Sequence, residues 1–84
     1  MPAYSYALGD EAVHTFTSLP ARQREKLLRA FDRLARQPHQ QGDYREAGAS
    51  GRIYEVTLSG DLLLTWWVDH AVKEVRIVRI ERVE

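Results

Sequence analysis

The sequence contains no cysteine, which excludes both a disulfide framework and a thiolate metal site. It also carries no net charge, since 12 basic residues balance 12 acidic ones, so the whole molecule has no electrostatic attraction to nucleic acid. No apolar run approaches the roughly 20 residues that span a bilayer. The N-terminus does not have the basic and apolar segments of a signal peptide. We therefore expect a cytoplasmic protein that does not bind a membrane.

The composition is that of one small folded domain. Hydrophobic residues make up 44% of the chain and charged residues 29%, which is ordinary for a globular protein and unlike a disordered tail. No change in composition divides the sequence, so we predict a single domain that comprises residues 1–84. The histidines, His14, His39 and His70, do not follow a metal-ligand spacing, and we predict neither a metal site nor a cofactor.

The stretch Leu62–Asp69 predicts the central strand of a sheet. It reads Leu-Leu-Leu-Thr-Trp-Trp-Val-Asp, so apolar side chains point to both faces of an extended chain. An edge strand of a half-solvated sheet would instead have one polar face. We expect helices to cover one face. The other face carries Trp67, and we expect either a partner or loops at the sheet margin to cover it.

The rest of the chain predicts two helices and three further strands. Asp10 is placed to cap the first helix, and Pro20 begins a second one, because proline is favoured in the first turn of a helix. The polar, glycine-rich stretch 37–51 predicts a loop. In chain order we predict a strand at 4–8, helices at 10–19 and 20–37, and strands at 52–58, 62–69 and 73–83. This order predicts an α+β fold, β-α-α-β-β-β, with an antiparallel sheet and a helical hairpin packed on one face.

The last predicted strand also carries apolar groups on both sides. Val75 and Ile77 share one face, whereas Val78 and Ile80 share the opposite one. Because the helices cover only one face of the sheet, we predict that Trp67, Val78 and Ile80 form a partner-binding surface. The partner is either a different protein or a second copy of this chain, in which case the protein is a homodimer.

The order of the elements resembles a known family, and four local features carry the resemblance. They are the break between the helices, the proline after the second helix, the glycine that ends the loop, and the turn before the central strand: Leu19-Pro20, Gln37-Pro38, Gly48 and Gly60-Asp61. Over nearly the whole chain this pattern is similar to the RelE/ParE superfamily of toxins from bacterial toxin–antitoxin pairs. The resemblance implies a toxin that a cognate antitoxin protein binds and neutralises. RelE-like members cut messenger RNA on the ribosome, and ParE-like members inhibit DNA gyrase.

The sequence departs from the pattern of the RNA-cleaving members of that family. Those members carry basic residues on the second strand and an arginine early in the third, whereas this chain has Glu55 and Thr57 on the second strand and Leu63 (or Leu62) on the third. These side chains do not neutralise the charge that builds on a phosphate during cleavage. We therefore favour a toxin that binds and inhibits its target. A ribosome-dependent mRNA endonuclease and a non-toxic homodimeric module remain the alternatives.

The resemblance also implies positions for functional side chains. Arg79 and Arg82 lie near the last basic position of the family and are the candidates for catalytic residues, together with His70, which can act as a general acid or base in the turn beside Asp69. Arg45 matches the basic residue that precedes the loop glycine, and Arg52 opens the second predicted strand. We predict nucleic-acid binding by the basic residues Arg45, Arg52 and Arg76.

Overall fold

The computed structural model describes residues 3–83, so the first two residues and the last residue of the predicted 1–84 domain lie outside the described part. The elements in chain order are β1 (Ser5–Leu8), α1 (Asp10–Thr17), α2 (Ala21–Arg36), β2 (Tyr44–Ala47), β3 (Ile53–Ser59), β4 (Leu62–Asp69) and β5 (Glu74–Arg82). The strands form one sheet in the order β1-β5-β4-β3-β2. The predicted α+β fold class is confirmed, and β4 is the central strand, as its apolar sequence predicted.

The two helices begin and end within a few residues of their predicted limits. Pro20 immediately precedes α2, as predicted, because its fixed φ suits the start of a helix. The predicted cap of α1 is wrong, because Gly9 is the N-cap. Asp10 lies inside the first turn, where its negative charge interacts favourably with the positive end of the helix dipole. An apolar stripe of α2, which includes Leu27, Phe31 and Leu34, is buried. The stripe faces the sheet and encloses the core.

The structure contains one strand more than the sequence pattern predicted. The predicted loop 37–51 includes β2, whose Tyr-Arg-Glu-Ala sequence has no apolar alternation and which pairs antiparallel with β3. Gly51, with a φ of 87°, lies in the turn between these two strands and takes a conformation that favours glycine. In addition, β1 pairs in parallel with β5, so the sheet is mixed rather than antiparallel throughout. A parallel pair needs a long connection, which the intervening elements supply.

A β-bulge in β5 changes which of its side chains face the helices. Thr65 lies opposite Arg79 and Trp66 lies opposite Ile77, so Val78 is an extra residue without a partner in the register. The prediction that Ile80 shares a face with Val78 is therefore wrong. Ile80 is only 2% exposed and belongs to the hydrophobic core. The extra residue shifts the alternation of the side chains that follow it by one position, so Ile80 faces the helices.

The core lies between the helices and one face of the sheet. Its largest fully buried side chains include Phe31 of α2 and, on the sheet, Leu64, Trp66 and Ile77. On the last strand the buried apolar residues, Val75, Ile77 and Ile80, all lie on the helix side. Of the two apolar residues predicted for the opposite face, only Val78 lies there, between Arg76 and Arg79, so the expectation of an apolar surface on both faces is wrong.

The segment before β2 is fixed to β3 by close backbone contact at Gly42. The N–H of Gly42 donates to Glu55 Oε1 at 2.8 Å, and the next N–H, of Asp43, donates to the Val56 carbonyl at 2.7 Å. A Cβ at Gly42 would lie 2.6 Å from that same carbonyl oxygen. The backbone of β3 therefore leaves no room for a side chain at Gly42.

Replacement of Gly42 by alanine is expected to lower the free energy of unfolding by about 1–3 kcal/mol, because the backbone of one segment must move. Urea denaturation followed by circular dichroism measures the change. The matched control is Gly9→Ala, since a Cβ at Gly9 meets its nearest atom at 3.7 Å; as a change at a helix N-cap it is expected to cost less than about 1 kcal/mol. Equal losses in the two variants would contradict the argument.

Among residues 3–83, no helix combines the length and the apolar character that are needed to cross a membrane.

Candidate functional site

Two arginines flank Trp67 on the face of the sheet that the helices leave uncovered. Trp67 pairs with Arg76 in the register between β4 and β5, so the two side chains point to the same face. The guanidinium carbon of Arg52 lies 3.7 Å from the centroid of the Trp67 ring, and that of Arg76 lies at 5.7 Å. We call these residues the Arg–Trp–Arg cluster. The guanidinium of Arg52, stacked on the indole, keeps its N–H edge available to an anion, whereas the Nε of Arg76 lies 3.0 Å from Glu74 Oε1.

A shallow depression of about 160 Å³ adjoins this cluster. It is lined by Trp67 and Arg76, by Val78 at the bulge, and by Ala7–Gly9 at the end of β1. Of the three residues predicted to bind a partner, the structure therefore brings Trp67 and Val78 together on the uncovered face. Ile80 does not join them, since it is buried in the core.

Arg79 also lies on the uncovered face, but two carboxylates engage it. Its Nη2 is 2.7 Å from Glu46 Oε2, and its Nε is 3.2 Å from Glu81 Oε1. The hydrogen bond with Glu46 raises the pKa of Arg79 further above the value of a free guanidinium, against the opposing effect of burial. Arg79 thus remains charged at every pH of interest and does not serve as an acid or base. Its position indicates a structural cross-link between β2 and β5.

Replacement of Arg79 by alanine is expected to destabilise the fold by about 1–2 kcal/mol, because Glu46 loses its partner at a partly buried position. Arg82→Ala is the matched control. The Arg82–Asp61 pair is 3.7 Å long and more than half exposed at both ends, so its loss is expected to change stability by less than about 0.5 kcal/mol. Urea denaturation at neutral pH compares the variants, and an equal effect of the two would show that the Glu46 pair is not structural.

The three predicted catalytic residues do not form one site. Arg82 pairs with Leu62 at the first residue of β4, whereas His70 follows the last one. The 8 residues of this strand span about 25 Å. Arg79 lies between them in the sequence but points to the face opposite Leu62, since it pairs with Thr65. A catalytic centre that contains all three side chains is therefore not present.

The structure brings His70 next to His39, a pairing that the sequence did not reveal. The two imidazole rings stack with centroids 5.0 Å apart and planes inclined by 12°. On the other side of His70, the hydroxyl of Tyr4 lies 2.8 Å from its Nδ1. His39 belongs to the loop after α2, Tyr4 precedes β1, and His70 follows β4. No spacing rule connects three such distant segments, so only the folded chain could identify this group.

These histidines lie beside a cleft of about 290 Å³, which we call the histidine cleft. The loop that follows α2 forms one wall, and β3 contributes Ile53 and Glu55. Glu55 Oε2 is 3.0 Å from Arg45 Nε, and Glu55 lies opposite Trp66 in the register, on the helix side of the sheet. Of the three arginines predicted to bind nucleic acid, Arg52 and Arg76 are together, but Arg45 lies on the other face and is paired with Glu55.

The site thus belongs to a small α+β protein with two helices on one side of a five-stranded mixed sheet and a surface that contains Trp67 and several arginines on the other. Neither a known family profile nor a curated protein sequence matches the chain.

Solved structures do match it in fold. A chain of the RelBE2 toxin–antitoxin complex from Mycobacterium tuberculosis is 21% identical, with a TM-score of 0.78 over 96% of this chain and 99% of that one. The archaeal RelE–RelB complex from Pyrococcus horikoshii gives 18% identity and a TM-score of 0.74, covering 94% and 93% of the two chains. The isolated RelE toxin of Escherichia coli gives 14% identity and a TM-score of 0.74, covering 98% and 86%. The chain therefore has the fold of RelE toxins.

Proposed function

We propose that this protein is the toxin of a toxin–antitoxin pair and that a cognate antitoxin protein neutralises it by binding. The observation that carries the proposal is the similarity of fold over almost the entire chain to structures of RelE toxins, most of them in complex with their antitoxins. The residues at the element boundaries independently resemble the same superfamily. A fold alone does not specify a function, so the argument also depends on the surface that the chain presents.

The surface supports inhibition by binding. The Arg–Trp–Arg cluster provides an aromatic ring, the stacked cation of Arg52 and the guanidinium of Arg76, which pairs with Glu74, on an uncovered face; buried tryptophan and arginine anchors carry much of the energy of protein interfaces. An antitoxin that covers this face blocks the same residues that contact the target. Both functions then depend on one surface, and the binding of one partner excludes the other.

The same surface does not support RNA cleavage by the arginines near the C-terminus. Glu46 and Glu81 neutralise Arg79, and Arg82 lies at the edge of the sheet beside Asp61. Cleavage of a phosphodiester needs cations that are free to stabilise the developing negative charge. We therefore place inhibition of a target, either the translating ribosome or DNA gyrase, ahead of cleavage.

The test is to induce the chain in a bacterial host, alone and together with the small reading frame that adjoins its gene. The proposal expects growth arrest by the chain alone, recovery on co-expression, and purification of the two proteins as one complex. In extracts, inhibition of translation without new messenger ends indicates the ribosome, and inhibition of supercoiling indicates gyrase.

Two results would overturn the proposal. Codon-dependent cuts in messenger RNA would show that the protein acts as an endonuclease and not by binding and inhibiting its target. Normal growth, combined with a stable dimer of the purified chain in light scattering and no complex with the adjacent protein, would establish a homodimeric module instead.

A further inference from the structure

A second cleft, of about 300 Å³, lies between α2 and the strands β3 and β4, and we call it the helix–strand cleft. Its lining includes Ala30, Arg33 and Leu34 of α2, Thr57 and Ser59 of β3, and Leu64 of β4. We propose that this cleft binds a small aliphatic carboxylate, whose charge pairs with Arg33 and whose hydrocarbon part contacts the buried aliphatic residues. The proposal goes beyond the toxin role and does not rest on it, because none of these residues belongs to the Arg–Trp–Arg cluster.

Arg33 supplies the positive charge of the cleft. It is the one cation among the described residues that line the cleft, and no carboxylate is among them. Within residues 3–83 Arg33 takes part in no ion pair, and it is exposed to solvent. Asp61, next to the lining residue Gly60, is engaged by Arg82 and Gln23. The guanidinium of Arg33 therefore keeps its N–H groups available, and their planar arrangement matches the two oxygens of a carboxylate.

Thr57 supplies a buried hydroxyl on the same side of the sheet. It lies opposite Leu64 in the register of β3 and β4, and Leu64 belongs to the core, so Thr57 points to the helix side. Ser59 lies opposite Leu62, another core residue, and points to the same side. The Oγ1 of Thr57 is buried and has no hydrogen-bond partner among the described residues. A buried donor without an acceptor is costly, and a carboxylate oxygen in the cleft accepts its hydrogen bond.

Buried aliphatic side chains form the inner wall of the cleft. Ala30 and Leu34 are each 5% exposed, and Leu64 is 1% exposed. A hydrocarbon group that contacts such a wall is removed from water, which favours binding. A volume of about 300 Å³ is at the lower end of the range for small-molecule sites, so a short-chain acid suits the cleft.

The same lining disfavours a nucleic acid. A polyanion is bound by several cations that follow its phosphates, whereas the described residues of the lining supply one. Aliphatic carboxylates occur as free acids and also at the C-terminus of a polypeptide that ends in an aliphatic residue. Both sources present a single negative charge next to a hydrocarbon group, and this is the chemistry that the cleft recognises.

Two-dimensional amide NMR spectra of the full chain test the proposal with isovalerate, with isovaleramide and with a short peptide that has a free C-terminal leucine. We expect the signals of Thr57, Ser59 and Gly60 to shift in a saturable way with isovalerate, with a dissociation constant in the millimolar range or below. Isovaleramide has the same shape without the charge and is expected to bind at least tenfold more weakly. Tighter binding of the peptide than of isovalerate indicates a polypeptide C-terminus as the source, and the reverse indicates a free acid.

Arg33→Gln is expected to weaken the binding of isovalerate by roughly 10- to 100-fold, since it removes a charge-assisted hydrogen bond. Thr57→Val removes only the hydroxyl and is expected to weaken binding by roughly 2- to 10-fold. Arg29→Gln is the matched control, because Arg29 is an exposed arginine of the same helix that does not line the cleft. It is expected to bind isovalerate as the unaltered chain does. Circular dichroism verifies the fold of each variant.

Three results would overturn the proposal. The first is the absence of saturable shifts at the cleft with either carboxylate in the millimolar range. The second is equal binding of isovalerate by folded Arg33→Gln protein, or an equal loss of binding in Arg29→Gln. The third is binding of uridine monophosphate at the same residues as tightly as isovalerate, which would show a general anion or nucleotide site instead.

Discussion

Replacement of Trp66 by alanine is expected to remove a large share of the stability of this protein. The side chain is 1% exposed and lies in the centre of the core, on the middle strand of the sheet. Truncation of a buried tryptophan costs about 3–5 kcal/mol, because apolar contacts are lost and a cavity remains. Small domains have a total stability of about 5–15 kcal/mol, so this one substitution removes a large share of it. Urea denaturation, with Trp67 as the remaining fluorescent probe, measures the loss.

The adjacent tryptophan is the matched control for this experiment. Trp67 points to the uncovered face and is only partly buried, so Trp67→Ala is expected to leave the free energy of unfolding within about 1 kcal/mol of the original. The variant Trp66→Phe adds a second comparison. The indole Nε1 of Trp66 is buried without a partner among the described residues, so the loss of its N–H is expected to offset part of the lost packing. Similar destabilisation by Trp66→Ala and Trp67→Ala would contradict the assignment of the two faces.

Replacement of Arg52 by glutamate is expected to abolish the growth arrest that the proposed function requires. The guanidinium stacks on Trp67 at 3.7 Å, and a carboxylate at this position loses the stacking and replaces one positive charge of the cluster by a negative one. Loss of an interface anchor costs about 2–4 kcal/mol, which corresponds to roughly 30- to 1,000-fold in affinity for the target. Growth after induction and the dissociation constant of the antitoxin complex are the two measurements.

Arg22→Glu is the control for that substitution, since it makes the same charge change on an exposed residue of α2. It is expected to retain full growth arrest. Circular dichroism of both proteins shows whether each is folded. If folded Arg52→Glu protein arrests growth as well as the original, the target contacts another surface and the uncovered face is not where inhibition occurs.

The element order was accessible from the sequence because it depends on local patterns. The apolar spacing of α2, Pro20 at its start, and the Gly60-Asp61 turn before β4 each act over a few residues, and all three were predicted correctly. β2 was not predicted, because its residues have no strand pattern of their own. They adopt an extended conformation only by pairing with β3. The parallel pairing of β1 with β5 was not predicted for the same reason, because the residues of a strand do not specify the direction of its partner.

The candidate site was only partly predictable. Arg52, Arg76 and Trp67 were singled out individually, but their stacking depends on the register between strands. Arg79 was identified as a candidate catalytic residue, and only the positions of Glu46 and Glu81 show that its guanidinium is engaged in ion pairs. His39 had no distinguishing feature in the sequence, because it is a loop residue that stacks on His70, a residue far away in the chain.

The sequence by itself determined a small α+β domain with a buried central strand. The period of its apolar residues shows which segments form helices with one apolar side and which form strands that such helices can cover. Only the tertiary structure decided the chemistry of the two sides of the sheet. A single extra residue at Val78 places Ile80 in the core. Since side chains alternate along a strand, that one insertion places Arg79 on the uncovered face, where the sequence predicted Ile80.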